Sequence, residues 1–129
     1  MSKASYQKYK KTSVESASRE KLLLMMYEGA IRYTKKAILA VENKDIAARG
    51  MNIGHAYDIV MELNNTLDHE IGGEVAVNLE QLYMFITDQL IKANIKPDKE
   101  KLENVLKILE TLYDGWIQAV EKIKKESVR

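Results

Sequence analysis

The chain has 129 residues, of which 20 are basic and 19 acidic, and it contains no cysteine. This length suits one domain with a single core, and a net charge of +1 provides no field that would collect nucleic acid or an anionic membrane. The lack of cysteine excludes disulfides and thiolate metal sites and suits a reducing cytoplasm. The longest apolar run, Leu22 to Tyr27, is too short to span a membrane, and the N-terminus lacks the apolar centre of a signal peptide. We therefore expect a cytoplasmic protein that neither inserts into membranes nor binds nucleic acid.

The first predicted element is a mobile N-terminal arm, residues 1–17. The segment is polar and rich in Lys, so it cannot bury a core of its own. It carries Tyr6 and Tyr9, which are three residues apart and fall on one side of a helical turn. Two alternatives follow: the arm is disordered, as terminal segments usually are, or these two rings cap the apolar start of the helix that follows.

The first predicted helix spans about residues 19–42, with Ser18 as a candidate N-cap and the polar sequence ENKD at 42–45 as its end. One face is apolar at helical spacing and is predicted to enter a core. That face contains Leu23, Met26, Tyr27, Ala30, Thr34, Ala37, Ile38 and Val41. Another four apolar residues, Leu22, Leu24, Met25 and Ile31, lie outside it, so either the residues upstream or another protein must cover them.

Two glycines and a proline delimit the next two helices. The second helix is predicted at about 46–69 and stops before Gly72 and Gly73; the third is predicted at about 74–94 and ends before Pro97, whose ring does not fit a helix interior. The predicted core residues of the second helix are Ile46, Ile53, Ala56, Tyr57, Val60, Asn64 and Leu67. Those of the third helix are Val75, Leu79, Leu82, Tyr83, Ile86, Leu90 and Ala93.

The fourth helix is predicted at about 99–126, with Asp98 as its cap. Its predicted core residues are Leu102, Val105, Leu106, Leu109, Leu112, Tyr113, Trp116, Val120 and Ile123. Because the connections between helices are short, neighbouring helices must run antiparallel. The predicted fold is all-α: an elongated antiparallel up-down four-helix bundle at residues 18–127, roughly 30 to 40 Å long, with the mobile N-terminal arm before it.

No constellation for catalysis or metal binding emerges from the sequence. A di-iron or di-manganese bundle needs Glu-x-x-His pairs, but Asn52 and Thr66 stand three residues before His55 and His69. No strand and Gly-rich loop are present to hold a phosphate. We therefore expect no catalytic residue, no cofactor and no metal, and predict that the protein is not an enzyme.

A surplus of apolar surface remains on the second and third helices. Val77, Met84 and Ile91 repeat every seven residues on the side away from the core stripe. On the second helix, Gly50, Gly54, Tyr57 and Met61 share one shoulder, where glycines at i and i+4 let another backbone approach. One interpretation is an ordinary seam of a homodimeric helical regulator or scaffold protein. The other is a groove that binds partner helices.

Over nearly its whole length, the chain resembles the FliS family of cytoplasmic flagellin export chaperones, because several short motifs occur in the order typical of that family. The matching segments are Tyr6 and Tyr9 in the arm, SVESAS at 13–18, MYEGAI at 26–31, AYDIVMEL at 56–63, TLDHEIGGEVAVNLEQLY at 66–83, AN at 93–94 and Trp116 in the last helix. Two positions depart from the family pattern. Arg19 follows Ser18 where many members have Pro, and Tyr113 stands where many members have Arg.

The resemblance implies a function that accounts for the surplus apolar surface. Members of this family bind the disordered C-terminal segment of flagellin, which folds onto the outside of the bundle and is kept from polymerising prematurely. They also deliver flagellin to the cytoplasmic domain of the flagellar type III export gate, with the N-terminal arm contributing. The resemblance also implies a flagellar regulator as a further partner. We expect a monomer or weak homodimer that needs no cofactor.

Overall fold

The computed structural model describes the backbone of residues 3–127 and the side chains of residues 19–126. Four helices follow one another along the chain: α1 at Lys3–Glu42, α2 at Ile46–Asn65, α3 at His69–Ile95 and α4 at Lys99–Ser127. Within the described residues no strand occurs. None of the helices in this part of the chain is long and apolar enough to cross a membrane.

The helices form an antiparallel bundle in which α1 and α3 occupy opposite corners. Both α1 and α3 pack against α2 and α4, and among the residues that the structure describes α1 makes no close backbone approach to α3. Each of the three connections has only three residues, at 43–45, 66–68 and 96–98. Because they are so short, consecutive helices must run antiparallel. The prediction of an all-α up-down four-helix bundle is confirmed.

Each connection ends in an aspartate that caps the following helix. Asp45 accepts a hydrogen bond from the backbone N–H of Ala48, Asp68 from those of Glu70 and Ile71, and Asp98 from that of Lys101, all at 3.0 to 3.1 Å. These bonds satisfy N–H groups that have no partner inside the helix. The Lys101 backbone N–H and then its ammonium group lower the pKa of the Asp98 carboxyl. Local chemistry at three short connections therefore sets where α2, α3 and α4 begin.

The first and third helices begin earlier than the sequence predicts. α1 starts at Lys3 rather than near Ser18, since neither Gly nor Pro interrupts residues 3–18. The side chains of Tyr6 and Tyr9 lie outside the described residues, so their roles stay predictions. α3 starts at His69 because Asp68 caps it, and its first turn is separated from the rest by Gly73, whose φ of 49° and ψ of −124° interrupt the helix. The Gly-Gly pair therefore marks a break within α3 rather than its start.

One continuous core fills the centre of the bundle. Its fully buried members are Tyr27, Ala30, Ala37, Ile53, Ala56, Val60, Leu63, Tyr83, Ile86, Leu90, Ala93, Leu102, Val105 and Leu109. A hydrogen bond between the buried hydroxyls of Tyr27 and Tyr83 joins the diagonal helices α1 and α3 through this core. Trp116 is partly buried and packs against the same cluster. Most of the predicted core stripe of each helix therefore faces inward.

Four residues predicted for the core are exposed. Val75 and Leu82 on α3 are 63% and 36% exposed, and Ile46 and Ile123 are more than half exposed. Ile46 is the first residue of α2, and Ile123 lies in the last two turns of α4, where fewer neighbours are available. Val75 lies two residues after the break at Gly73, and Leu82 lies on the flank of α3 rather than on its inner face. Helical periodicity identified the inner face of α3, but it assigned that face too great a width.

Candidate functional site

Contacts between the start of α2 and the end of α3 fix the register of these two helices. Arg49 Nη2 donates a hydrogen bond to the backbone oxygen of Asn94 at 3.2 Å. A Cβ added to Gly50 would lie 3.8 Å from Asn94 Oδ1, so the glycine also faces α3. Because the two helices are antiparallel, Gly54 then lies near the level of Ile91, and Met61 lies near the level of Met84.

The two sets of apolar positions predicted as a binding surface therefore border one groove between α2 and α3. Gly50, Gly54, Tyr57 and Met61 form its α2 side, and Val77, Met84 and Ile91 form its α3 side; we call this the α2–α3 groove. A Cβ added to Gly54 would meet nothing within 4 Å, so this part of the groove floor is open. The three α3 residues are exposed, at 39% to 46%, whereas Gly50, Gly54, Tyr57 and Met61 are partly buried.

The inner face of α3 is already satisfied without these residues. Ile86 and Leu90 are fully buried in the core, and the Thr87 hydroxyl, also buried, donates to the backbone oxygen of Met84 at 2.9 Å. Val77, Met84 and Ile91 are not needed to fill a gap in that core. The apolar stripe is therefore free to contact another molecule.

A second apolar stripe lies on the opposite flank of α3 and was missed by the sequence analysis. Val75, Leu82 and Phe85 follow each other at helical spacing, Ile71 lies beside Val75 before the break at Gly73, and all four are exposed, Ile71 by 88%. Asn94 faces α2, so the flank that carries these residues is the one toward α4; we call it the α4-side flank. Of these four residues, only Val75 and Leu82 were assigned from the sequence, and both were predicted for the core because they adjoin the inner face.

The α4-side flank leads into an apolar cleft at the end of the bundle near the α2–α3 connection. Leu23, Leu67, Leu79 and Trp116 line this cleft together with Ile71 and Val75, and its volume is about 280 Å³. A second shallow cleft beside it is lined by Arg19, Leu22, Leu23, Met26 and Thr66. Of the four apolar residues of α1 predicted to need a cover, Leu22 and Met25 are more than half exposed, whereas Leu24 is partly buried and Ile31 packs against the core.

The two halves of the bundle differ in charge. α2 and α3 together carry six acidic and two basic residues, whereas α4 and the part of α1 from Arg19 onward carry nine acidic and eleven basic residues. Three exposed cations, Arg32, Lys35 and Lys36, lie on α1. The apolar α2–α3 groove thus belongs to the acidic half of the molecule.

Polar contacts bridge α1 and α4, and beside them lies a shallow cleft of about 530 Å³ that is lined by residues of both helices, among them Ile31, Lys35 and Asp114. The Tyr113 hydroxyl donates a hydrogen bond to Glu28 Oε1 at 2.5 Å, and this bond to a carboxylate raises the pKa of Tyr113. Lys99 Nζ lies 2.8 Å from Glu42 Oε1, and this contact raises the pKa of Lys99. Tyr113 therefore has a structural partner within the chain.

Neither histidine belongs to a ligand cluster. His55 is exposed on α2 and its ring lies 4.8 Å from that of Tyr33, while His69 Nε2 lies 3.3 Å from Glu80 Oε2. In the part of the chain that the structure describes, no three His, Asp or Glu side chains are grouped so as to hold a metal ion. The features available for function are apolar surface and charge.

Comparison with known proteins gives one consistent result. Residues 1–123 match the family described as flagellar protein FliS. The flagellar secretion chaperone FliS of Vibrio cholerae is 37% identical over 120 residues, which cover 90% of this chain and 88% of that protein. The FliS chaperone of Bacillus subtilis is 32% identical over 121 residues, covering 94% and 90%. A crystal structure of a bacterial flagellar chaperone superposes with a TM-score of 0.79 at 19% identity, covering 92% and 97%.

The family match spans most of the chain, and the relatives are matched over most of their own length. These relatives are chaperones, which confirms the prediction that the protein is not an enzyme. The solved neighbour agrees with the four-helix fold. The chain therefore belongs to the FliS family of flagellar secretion chaperones.

Proposed function

We propose that this chaperone acts in the cytoplasm, binds the disordered C-terminal segment of flagellin along α3, prevents its premature polymerisation and delivers it to the flagellar type III export gate. The observation that carries the proposal is the exposure of apolar residues on both flanks of α3 in a bundle whose core is already filled. A helix that packs inward and yet remains apolar outward is suited to bind further helices.

The α2–α3 groove has the geometry expected for a helix-binding surface. Val77, Met84 and Ile91 repeat every seven residues, which is the spacing that meets one face of a bound helix. Gly54 leaves room for close approach, and the Met61 and Met84 thioethers adapt to varied apolar partners. The groove is thus the principal binding site in the proposal, and the α4-side flank extends it.

Coupled folding of the client explains why a large interface can still be released. A disordered segment loses conformational freedom when it folds on the chaperone, and this cost offsets part of the favourable free energy of burying its apolar side chains. The complex is then stable enough to keep flagellin molecules apart. The binding free energy per unit of buried area stays low enough for flagellin to be transferred to the export gate.

The N-terminal arm is proposed to act in that transfer. Residues 3–18 extend α1 upstream of Leu22, and Leu22 lines one of the two apolar clefts at this end of the bundle. In the proposal, this N-terminal segment with Tyr6 and Tyr9 contacts a docking partner such as the cytoplasmic domain of the export gate. Tyr6→Ala/Tyr9→Ala should leave flagellin binding within roughly tenfold and weaken binding of the loaded complex to the gate domain.

Binding of a flagellin C-terminal peptide to the purified chaperone tests the proposal. Val77→Ser/Met84→Ser/Ile91→Ser should weaken binding at least about tenfold while leaving the melting temperature within a few degrees, because these side chains are exposed. Leu39→Ser/Ile123→Ser removes two other exposed apolar side chains, on α1 and α4, and serves as the control. Equal binding by the triple variant and this control would exclude the α2–α3 groove, and failure of the parent to bind the peptide would exclude flagellin.

A further inference from the structure

Carboxylates alternate with the apolar residues of the α2–α3 groove. On α3, Glu80 lies three residues after Val77 and four before Met84, and Asp88 lies four after Met84 and three before Ile91. On α2, Asp58 lies four residues after Gly54 and three before Met61. Residues three or four apart are neighbours on a helix surface, so each carboxylate adjoins two positions of the groove. We call Asp58, Glu80 and Asp88 the acidic rim.

The chain itself neutralises this rim only weakly. Asp88 Oδ2 lies 3.0 Å from Lys92 Nζ, but both side chains are about half exposed, and such pairs contribute little. Glu80 contacts the imidazole of His69 rather than a Lys or Arg. Among the side chains of residues 19–126, none of the cations lies within ion-pair distance of Asp58. The groove therefore combines an apolar floor with carboxylates that still lack strong partners.

We infer that the segment bound in the α2–α3 groove is a basic amphipathic helix, whose Lys or Arg residues flank its apolar positions and pair with Asp58, Glu80 and Asp88. This inference rests on the proposed function, because it specifies the chemistry of the segment that the chaperone binds. A neutral or acidic helix would bring the rim carboxylates out of water without a partner. A basic helix gives them charge-assisted hydrogen bonds and is steered toward the groove.

The opposite corner of the bundle supports this selectivity. The outer surface of α1 also exposes apolar side chains, Met25 and Leu39, but it carries the cations Arg32, Lys35 and Lys36 nearby. A basic helix is repelled there and attracted to the acidic half. Charge thus distinguishes two exposed apolar surfaces that hydrophobicity alone would not separate.

Two synthetic helical peptides with identical apolar positions test the inference on the unmodified protein. One peptide carries Lys at the flanking positions and the other carries Glu, and binding is measured by fluorescence anisotropy. At 0.1 M salt we expect the Lys peptide to bind at least about tenfold more tightly. The difference should shrink at 1 M salt, because the Debye length falls from about 10 Å to about 3 Å. Equal affinities at 0.1 M salt would overturn the inference.

Charge reversal locates the effect on the rim. In Asp58→Lys/Glu80→Lys/Asp88→Lys the preference should invert, so that the Glu peptide binds more tightly. Glu110→Lys/Asp114→Lys/Glu121→Lys changes the net charge equally at exposed positions of α4 and should retain the Lys preference. A rim variant that is folded by circular dichroism and still prefers the Lys peptide, or a control that loses the preference, would overturn the assignment to the rim.

The outcome separates this inference from the proposed function. If the parent binds the flagellin C-terminal peptide, but neither salt nor the rim variant changes that binding, the charge inference is wrong and the flagellin proposal stands. If the Lys preference is observed and the flagellin peptide does not bind, the chemistry of the groove stands and flagellin is excluded as its occupant.

Discussion

The half of the bundle made by α1 and α4 and the half made by α2 and α3 share one core but differ in the chemistry of their outer surfaces. Between α1 and α4, the Tyr113–Glu28 hydrogen bond and the Lys99–Glu42 ion pair bridge the two helices at 2.5 and 2.8 Å, and charged residues line the cleft beside Tyr113. Between α2 and α3, the outer surface has open space at Gly54, exposed apolar side chains and an excess of acidic residues.

This difference separates the surfaces that stabilise the fold from the surface proposed to bind the client. The chain has ample Lys, Glu and Asp to cover its outer faces, as the half formed by α1 and α4 demonstrates. Apolar residues on the outer side of α3 are therefore not explained by a lack of polar ones. Changes to the core should alter folding, and changes to the outer surface of α3 should alter binding.

The largest expected effect distinguishes two leucines that look alike in the sequence. Leu109 on α4 is fully buried, so Leu109→Ala should cost roughly 2 to 5 kcal/mol in the free energy of unfolding. Leu82 on α3 is 36% exposed, so Leu82→Ala should cost about 1 kcal/mol. Urea titration followed by circular dichroism measures both values. Equal costs would place Leu82 in the core and remove the α4-side flank as a surface.

The next effect concerns the hydrogen bond that joins the diagonal helices. Tyr83→Phe removes one hydroxyl of the buried Tyr27–Tyr83 pair and leaves the other without that partner, at an expected cost of about 1 to 3 kcal/mol. In Tyr27→Phe/Tyr83→Phe both polar groups are gone, so the double variant should be no less stable than the single one. A double-mutant cycle by denaturant titration decides this, and strictly additive losses would show that the two hydroxyls act independently.

The same pair predicts a pH dependence at alkaline pH. Burial raises the pKa of Tyr27 and that of Tyr83, so the folded protein keeps protons that the unfolded chain releases near its ordinary value of about 10. The unfolded state then binds fewer protons than the folded state above about pH 10, and stability falls as the pH rises. The double Phe variant should show a flatter decline in melting temperature between about pH 9 and 11. Identical profiles would contradict the assignment.

A smaller effect is expected for two glycines, one in each half of the bundle, that both have open space around them. An added Cβ meets nothing within 4 Å at Gly54 on α2 or at Gly115 on α4. Either residue changed to Ala should therefore stabilise its helix by up to about 1 kcal/mol. Only Gly54→Ala should weaken binding of the flagellin peptide, because the new methyl group stands on the floor of the groove. Weaker binding by Gly115→Ala as well would extend the binding surface onto α4.

The smallest expected effect lies on the seam between α1 and α4. Tyr113→Phe removes the exposed hydrogen bond to Glu28. The melting temperature should change by no more than about 2 °C, and binding of the flagellin peptide should not change, because the residue lies outside the groove. A loss of binding in a folded variant would give Tyr113 a role in recognition that its contact with Glu28 does not explain.

Local patterns in the sequence were sufficient to predict the four helices and their antiparallel order. Apolar residues at helical spacing define one inward face on every helix, and Tyr27, Ile53, Ile86 and Leu109 were all placed correctly in the core. Connections of three residues leave no topology except an antiparallel one. These features are local, so they can be read from spacing and composition. The surface position of Val77, Met84 and Ile91 was likewise evident, because a seven-residue repeat opposite the core stripe keeps its phase along the helix.

The width of the inner face of α3 and the pairing of helix surfaces depend on how the helices pack, and local patterns did not predict them. Val75 and Leu82 have the periodicity of core residues, yet they lie outside the zone that α2 and α4 cover. The register set by Arg49 and Asn94 brings the α2 glycines opposite the α3 stripe, which no pattern within either helix encodes. The start of α3 at His69 depended on a single cap, Asp68, upstream of the Gly73 break. Burial depends on the distance between neighbouring helices, and that distance is a property of the assembled bundle rather than of any segment of the chain.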